Sequence, residues 1–280
     1  MAKTVRIPIL AILGRRESGK TMMVEALTKS LATKCFRVAC AKHISQKGFS
    51  MDIEGKDTWR YSAAGAEVVI AVSDRETTIK IKNTFGIPSL KTMSKFAIEM
   101  GADALLLEGF SELVLSDRHI GKIICVRGLE EYAEFKKKIQ GQIIAFCSVG
   151  ELEKNIINLE RGLQNVIQKA LDFIVKMKKV YEILNQLAGL DCGKCGRETC
   201  QDLSLAIYEG QARIEDCQPL RLKPELETMI TVEGVEIPIQ PFVSEFVKKT
   251  VLGMVSALKG VQLEGDEKVK IEIIRRKPKE

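Results

Sequence analysis

The segment Gly14-Arg15-Arg16-Glu17-Ser18-Gly19-Lys20-Thr21 is a full match to the pattern G-x-x-x-x-G-K-[ST], and it constrains the fold more than any other stretch of the chain. Such a loop works between a buried strand and the first turn of a helix, where backbone amides converge on phosphate oxygens and the helix dipole favours anions. Both flanks are present. The apolar run Ile7-Pro8-Ile9-Leu10-Ala11-Ile12-Leu13 precedes the loop, and Met22, Met23, Val24, Ala26, Leu27 and Leu31 follow it at helical spacing. Gly14 and Gly19 let the backbone approach a phosphate closely, the Lys20 ammonium is expected to reach the β and γ phosphates, and the Thr21 hydroxyl is the expected ligand of Mg²⁺. The nucleotide-binding set is therefore Gly14, Arg15, Arg16, Glu17, Ser18, Gly19, Lys20, Thr21 and Met22, with Lys20 also taking part in catalysis. The competing reading is a strand–turn–helix unit whose glycines serve only the turn.

Beyond the loop, short apolar runs alternate with helical patterns. Strands are predicted at 37–42, 67–72, 77–82, 104–107, 121–126 and 142–147, and helices at 89–100, 129–138 and 153–176. Strands separated by helices imply an α/β fold with a mainly parallel sheet covered on both faces, its ligand crevice at the C-terminal strand ends. A domain of 1–176 is expected. A second unit, 177–225, opens with a short helix over 180–187 and holds a cysteine cluster. The remainder, 226–280, reads as a small α+β unit: two short β runs at 229–232 and 235–239, an amphipathic helix over 241–258 that packs Phe242, Phe246, Val251, Val255 and Leu258 on them, and a strand-like run at 268–274.

Two polar groups belong to the first domain. Lys42-His43 ends the second strand, and the non-periodic stretch after it carries Lys56, Asp57 and Arg60; with His43 these are candidate ligand-binding residues on the lip of the crevice, though a solvated loop would have the same composition. The run Asp103-Ala104-Leu105-Leu106-Leu107-Glu108 is a buried strand ending in a carboxylate, where a phosphate-loop protein places the acid that orients Mg²⁺ or the attacking water. Glu108 is the candidate catalytic carboxylate.

Eight cysteines divide into two kinds. Cys35, Cys40, Cys125 and Cys147 sit in or beside apolar runs and read as small buried hydrophobes. Cys192, Cys195, Cys200 and Cys217 have the spacing C-x₂-C-x₄-C-x₁₆-C: three ligands on one tight loop can wrap a cuboidal cluster, and a fourth returns after a helix to close it. Gly193 and Gly196 let amides approach the sulfurs. A structural Zn site is the rival, since four thiolates also suit tetrahedral zinc, but zinc sites usually pair two knuckles and here the second pair is split. The expectation is a [4Fe-4S] cluster.

Gly14 to Thr21, Lys42-His43, Gly55-Lys56-Asp57-Thr58-Trp59-Arg60 with Ala63-Ala64-Gly65-Ala66 after it, and Leu106-Leu107-Glu108-Gly109-Phe110 together resemble the molybdopterin-guanine dinucleotide biosynthesis protein B family of phosphate-loop proteins, over roughly residues 3 to 175. The resemblance implies GTP binding and weak hydrolysis, often as a homodimer, in support of guanine nucleotide attachment to molybdopterin. Ser45 and Gln46 stand where the family commonly carries further histidines. With no N/TKxD-type guanine-reading motif in the chain, GTP rests on the resemblance, and Mg²⁺ with either GTP or ATP stays open. The segment from Leu190 through Cys217 is similar to the single-cluster [4Fe-4S] domain of corrinoid iron–sulfur proteins, which implies electron transfer with a partner protein.

At 280 residues, 45% hydrophobic and 5% aromatic, the chain has the composition of a soluble globular protein. No apolar run approaches the roughly 18 residues of a membrane span, no signal-peptide organisation is visible, and a cytoplasmic location is expected. A net charge of +6 over 43 basic and 37 acidic side chains makes a mixed field without a basic stripe, apart from the tail 275–279, and nucleic acid is not an expected partner. Three functions remain: an accessory NTPase of molybdenum or tungsten cofactor biosynthesis, an NTP-gated electron carrier that reduces a partner metalloenzyme, or a zinc-stabilised adaptor.

Overall fold

In a computed structural model, which describes residues 6–82, 86, 88–152, 155–221, 228–232, 234–261 and 269–271, the chain divides into two compact units, one spanning residues 5–181 and the other taking in residues 182 onward. The first is a parallel α/β sandwich. Its elements are β1 (Ile9–Gly14), α1 (Lys20–Thr33), β2 (Val38–Lys42), α2 (Asp57–Ala63), β3 (Val68–Val72), β4 (Thr77–Ile81), α3 (Leu90–Glu99), β5 (Ala104–Glu108), α4 (Ser111–Val114), β6 (Gly121–Cys125), α5 (Leu129–Lys138), β7 (Ile143–Ser148), β8 (Ile157–Asn158) and α6 (Leu159–Leu184). Six strands form one sheet in the order β2-β5-β1-β6-β7-β8, every neighbouring pair parallel. Leu10, Ala11, Ile12 and Leu13 are all fully buried, so both faces of the central strand are covered, as its continuous apolar sequence requires. On one face Ala11, Leu13, Leu105 and Leu107 pack with Ala97, Phe110 and Val114. The loop after β1 thus emerges at the middle of the sheet, where the chain first turns toward β2 and later crosses to β6, the switch point at which open parallel sheets bind ligands.

Several expectations need correction. β3 and β4 do not join the main sheet: they pair only with each other, antiparallel, with Val72 opposite Thr77. The connection is a turn closed by Ser73 N–H donating to the Glu76 carbonyl at 2.9 Å, far too short for a parallel crossover. The long helix starts at Leu159, not near 153, because Asn158 supplies an N-terminal cap: its Oδ1 accepts from the amides of Glu160 (2.8 Å) and Arg161 (3.2 Å). It then runs unbroken to Leu184 through the expected boundary at 176/177, since Ile174, Met177 and Val180 continue its buried face with no Gly or Pro to stop it. The short helix expected over 180–187 is the end of α6.

The second unit holds α7 (Cys200–Tyr208), a 3₁₀ turn at Ile214–Asp216, α8 (Gln218–Arg221), the antiparallel pair β9 (Ile230–Val232) and β10 (Val235–Ile237), and α9 (Pro241–Ser256). Thr228 Oγ1 donates to the Ser244 carbonyl at 3.2 Å, tying the segment before β9 to α9. The expected packing of α9 is not what the structure has: Phe242, Phe246 and Leu258 are exposed, the two phenylalanine rings stacking on each other with centroids 6.5 Å apart. A three-residue hairpin offers too little surface to cover them. Residues 269–271 carry no regular structure, and the rest of the strand expected at 268–274, the basic tail and the expected unit end near 224 lie outside the described residues.

Candidate functional site

The loop after β1 is wound by three residues at positive φ: Gly14 (146°), Glu17 (61°) and Gly19 (92°). At Gly14 a side chain is impossible, because a Cβ would overlap the Cys125 carbonyl oxygen on β6 and lie 2.5 Å from Ser18 Oγ. At Gly19, which caps α1, a Cβ would press within 3.1 Å of Val149 and 3.2 Å of Leu159. The Ser18 hydroxyl is buried in this cradle and has no hydrogen-bond partner among the described residues. Lys20 Nζ donates back to the Arg15 carbonyl. Burial holds the Lys20 ammonium below the ordinary lysine pKa; Lys42 adds to that, and the charge of Glu108 opposes it.

The remaining loop residues point elsewhere. Arg15 is drawn to α5, its Nη2 lying 2.5 Å from Glu134 Oε2 and its Nε 4.0 Å from Glu131 Oε1. Glu131 is itself buried and held by Arg127, from Nε at 2.7 Å and from the backbone amide at 3.0 Å. Arg16 and Glu17 pair with each other in solvent at 3.5 Å, and Met22 is exposed on α1.

Glu108 ends β5 in register with Ile12 of β1 and Lys42 of β2, which brings its buried carboxylate beside the loop. One oxygen, Oε1, takes both local donors: Thr21 Oγ1 at 3.0 Å and Lys42 Nζ at 2.9 Å. Lys42 is the residue that the sequence-based site omitted; its position at the end of β2 was the available signal. His43 joins the same strand end, its amide donating to the Glu108 carbonyl at 2.9 Å and its ring 5.4 Å from that of Phe110. Lys56, Asp57 and Arg60 lie exposed at the start of α2, where Arg60 pairs with Asp57 at 3.5 Å. The anchored carboxylate of that region is Asp52, which accepts from Lys80 Nζ (2.8 Å) and Thr58 Oγ1 (2.8 Å), bonds that keep its pKa below the ordinary aspartate value. A hydroxyl and a carboxylate meeting at Oε1 are hard oxygen ligands suited to Mg²⁺, and the glycine-walled cradle with its orphaned serine hydroxyl suits phosphate oxygens.

In the second unit, Cys192, Cys195, Cys200 and Cys217 line one pocket together with Leu190, Gly193, Thr199 and Pro219. Cys200 and Cys217 are buried with Leu187 and Leu203, Cys195 is half-buried, and Cys192 is exposed. Cys200 is the first residue of α7, whose start is fixed by a capping box: Asp202 N–H donates to Thr199 Oγ1 at 3.1 Å, and Thr199 N–H to Asp202 Oδ2 at 3.1 Å. The turn at Asp191 (φ 45°) lets its carboxylate accept from the Cys200 amide at 2.6 Å while its own amide donates to Cys200 Sγ at 3.4 Å. Burial raises the Cys200 thiol, and Asp191 both adds to and opposes that effect. Among the described residues no three His, Cys, Asp or Glu side chains converge on a single-ion site.

The other cysteines split. Cys125 and Cys147 are buried as expected, neighbours across β6 and β7, with burial pushing Cys125 up to about 12 and Cys147 higher. Cys35 and Cys40 are exposed, against expectation, because β2 is the edge strand and Cys35 sits in the left-handed turn after α1.

Residues 9–149 match the family model described as MobB, molybdopterin guanine dinucleotide synthesis protein B, and residues 187–219 match one provisionally described as an Fe-S cluster. The chain is 28% identical over 269 residues to a protein of Methanocaldococcus jannaschii provisionally named a molybdopterin-guanine dinucleotide biosynthesis adapter protein, across 96% of this chain and 99% of that one. It is 35% identical over 171 residues to the molybdopterin-guanine dinucleotide biosynthesis adapter protein of Haemophilus influenzae, across 60% of this chain and 88% of that one. A crystal structure of Bacillus subtilis MobB superposes with a TM-score of 0.47 at 21% identity, covering 60% of this chain and 98% of that one.

Proposed function

The chain belongs to the molybdopterin guanine dinucleotide synthesis protein B family, and from that premise we propose that it is an adapter of molybdenum or tungsten cofactor biosynthesis that binds and slowly hydrolyses a Mg²⁺-nucleotide and carries a [4Fe-4S] cluster. The observation that carries the nucleotide reading is the meeting of Thr21 Oγ1 with Glu108 Oε1 beside the Lys20 loop. In this reading the amides from Gly14 to Met22 and the Ser18 hydroxyl take phosphate oxygens, and Lys20 leaves the Arg15 carbonyl for the β and γ phosphates. Thr21 would supply a ligand to Mg²⁺, which would screen the phosphate charge, and Glu108 would orient either the metal or the attacking water. GTP is favoured over ATP by the family alone.

Cys192, Cys195, Cys200 and Cys217 would supply the thiolates of the cluster, a redox group when bound. The 2-4-16 spacing, the shared pocket and the match at 187–219 support it. The residues after α6, to about 225, then act as the cluster domain and 226–280 as a separate appendage. A cofactor-biosynthesis or redox protein is the expected partner, with a homodimer the expected assembly.

Calorimetry on the folded full chain tests the nucleotide site. Wild type is expected to bind Mg-GTP, and Lys20→Ala to weaken that binding by about 50-fold or more, the loss of a charge-assisted contact worth about 2.3 kcal/mol. Equal affinity in the two proteins would mean that the loop does not cradle phosphate.

A further inference from the structure

The parallel register of β2 and β5 puts Lys42 directly opposite Glu108 at the C-terminal edge of the sheet. Its ammonium sits 2.9 Å from Glu108 Oε1, the same oxygen that Thr21 Oγ1 approaches at 3.0 Å. A hydroxyl donor and an ammonium on one carboxylate oxygen mimic what a divalent cation would do there: they neutralise the carboxylate and fix its rotamer. The two ends of the contact differ in freedom. The Glu108 side chain is only 10% exposed, whereas that of Lys42 is 54% exposed, on the edge strand, and can swing away without disturbing the core. We propose that Lys42 is the resident cation of the nucleotide-free site, and that Mg²⁺ enters only when Lys42 gives up Glu108 and a nucleotide phosphate accepts it.

A divalent ion bound at Oε1 would stand within a few ångströms of the ammonium, in a region already crowded by Lys20, so free Mg²⁺ is repelled while Lys42 stays in place. The terminal phosphates of a nucleotide reverse the balance, because they bring negative charge that takes up the displaced ammonium and shares the metal. Metal and nucleotide then bind as a pair, and hydrolysis, by removing a phosphate, returns Lys42 to Glu108. This inference rests on the nucleotide reading above and assigns Lys42 as a positioning residue.

The test measures Mn²⁺ binding to the full chain, from loss of the free hexaaquo-Mn²⁺ EPR signal beyond that caused by the analogue in the absence of protein, with and without a non-hydrolysable GTP analogue. Wild type, Lys42→Met and Lys42→Arg are compared. Lys42→Met keeps the length of the side chain and removes its charge at an exposed position, and thermal melts confirm that it folds. The expected result is that wild type and Lys42→Arg bind Mn²⁺ feebly until the analogue is added, whereas nucleotide-free Lys42→Met binds it at least about tenfold more tightly, a coupling of ordinary size. Adding Glu108→Gln to Lys42→Met should abolish the gain. Equal Mn²⁺ affinity in nucleotide-free wild type and Lys42→Met, with the analogue still strengthening binding in wild type, would overturn the role of Lys42 and leave the nucleotide site intact. Absence of any response to the analogue in wild type would overturn the nucleotide reading and this inference with it.

Discussion

At Lys122 the chain buries a whole positive charge in the middle of a strand. The side chain is fully buried and its Nζ donates to three carbonyls, those of Asp117, Ile120 (3.1 Å) and Gln140 (2.9 Å). Every ammonium hydrogen has an acceptor, which is why the burial is tolerable, and burial nonetheless holds its pKa below the ordinary lysine value, with Asp117 opposing. Lys122→Met leaves three inward carbonyls without a donor and should destabilise the first unit by about 3 kcal/mol, lowering Tm by about 10 °C; a melt within about 2 °C of wild type, the scatter of a neutral surface change, would show that water replaces the ammonium without loss. Nothing in the run Gly121-Lys122-Ile123-Ile124-Cys125-Val126 marks that lysine as special. Glu108 was legible because a carboxylate ending an apolar strand, downstream of a phosphate loop, has a known use. Lys42 was legible as a strand end but its pairing with Glu108 was not, because that is set by strand register, a property of two strands that neither sequence states alone.

Among the elements, those with a strong period were readable. α5 has the bounds its sequence predicts, and five of the six strands of the main sheet fall within about two residues of expectation, whereas β8 lies where helix was expected. What sequence left undecided was pairing: β3 and β4 have the same β-rich composition as the sheet strands, and only the four-residue turn between them separates a hairpin from a parallel neighbour. The exposed face of α9 was misjudged for a related reason, since helical spacing identifies an apolar stripe and says nothing about what covers it. Asp103 shows how elements are fastened together. Its carboxylate accepts from the Arg37 amide before β2 (2.9 Å) and from Lys178 of α6 (3.1 Å), while its own amide donates to the Arg37 carbonyl at 2.6 Å. The Arg37 amide, with help from Lys178, depresses its pKa against the opposing effect of burial. The folded carboxyl therefore keeps its charge to lower pH than in the unfolded chain: its contribution is complete above about pH 4 and fades as pH falls through the folded value. Asp103→Asn should be less stable than wild type in urea at neutral pH, and the gap should narrow as pH is lowered toward about 3. A gap that is constant with pH would place the effect in packing rather than charge.

On the scale of the molecule, the phosphate loop and the cysteine quartet lie in different compact units of one chain, and the alignment with the Methanocaldococcus jannaschii protein runs through both. Among the described residues no helix is long and apolar enough to cross a membrane. The Haemophilus influenzae protein, by contrast, aligns with 60% of the chain. The segment matched at 187–219 is what this chain carries beyond the match at 9–149, and the identity of the metal centre proposed there is the point on which the proposed function depends most. Cysteine spacing was legible in sequence as a metal-binding set, but the choice between one ion and a cluster turns on whether the thiols meet at a point or surround a volume. Four thiolates on one tetrahedral zinc, at Zn–S of about 2.3 Å, would have to stand about 3.8 Å from one another, whereas a cuboidal cluster holds them apart around its own bulk. The most direct measurement is the iron, acid-labile sulfide and zinc content of the anaerobically purified full chain, read together with its EPR spectrum after reduction. About four iron and four sulfide per chain are expected, with a reduced-state signal of a single one-electron cluster. A colourless protein holding about one zinc per chain, silent by EPR, would contradict the cluster assignment.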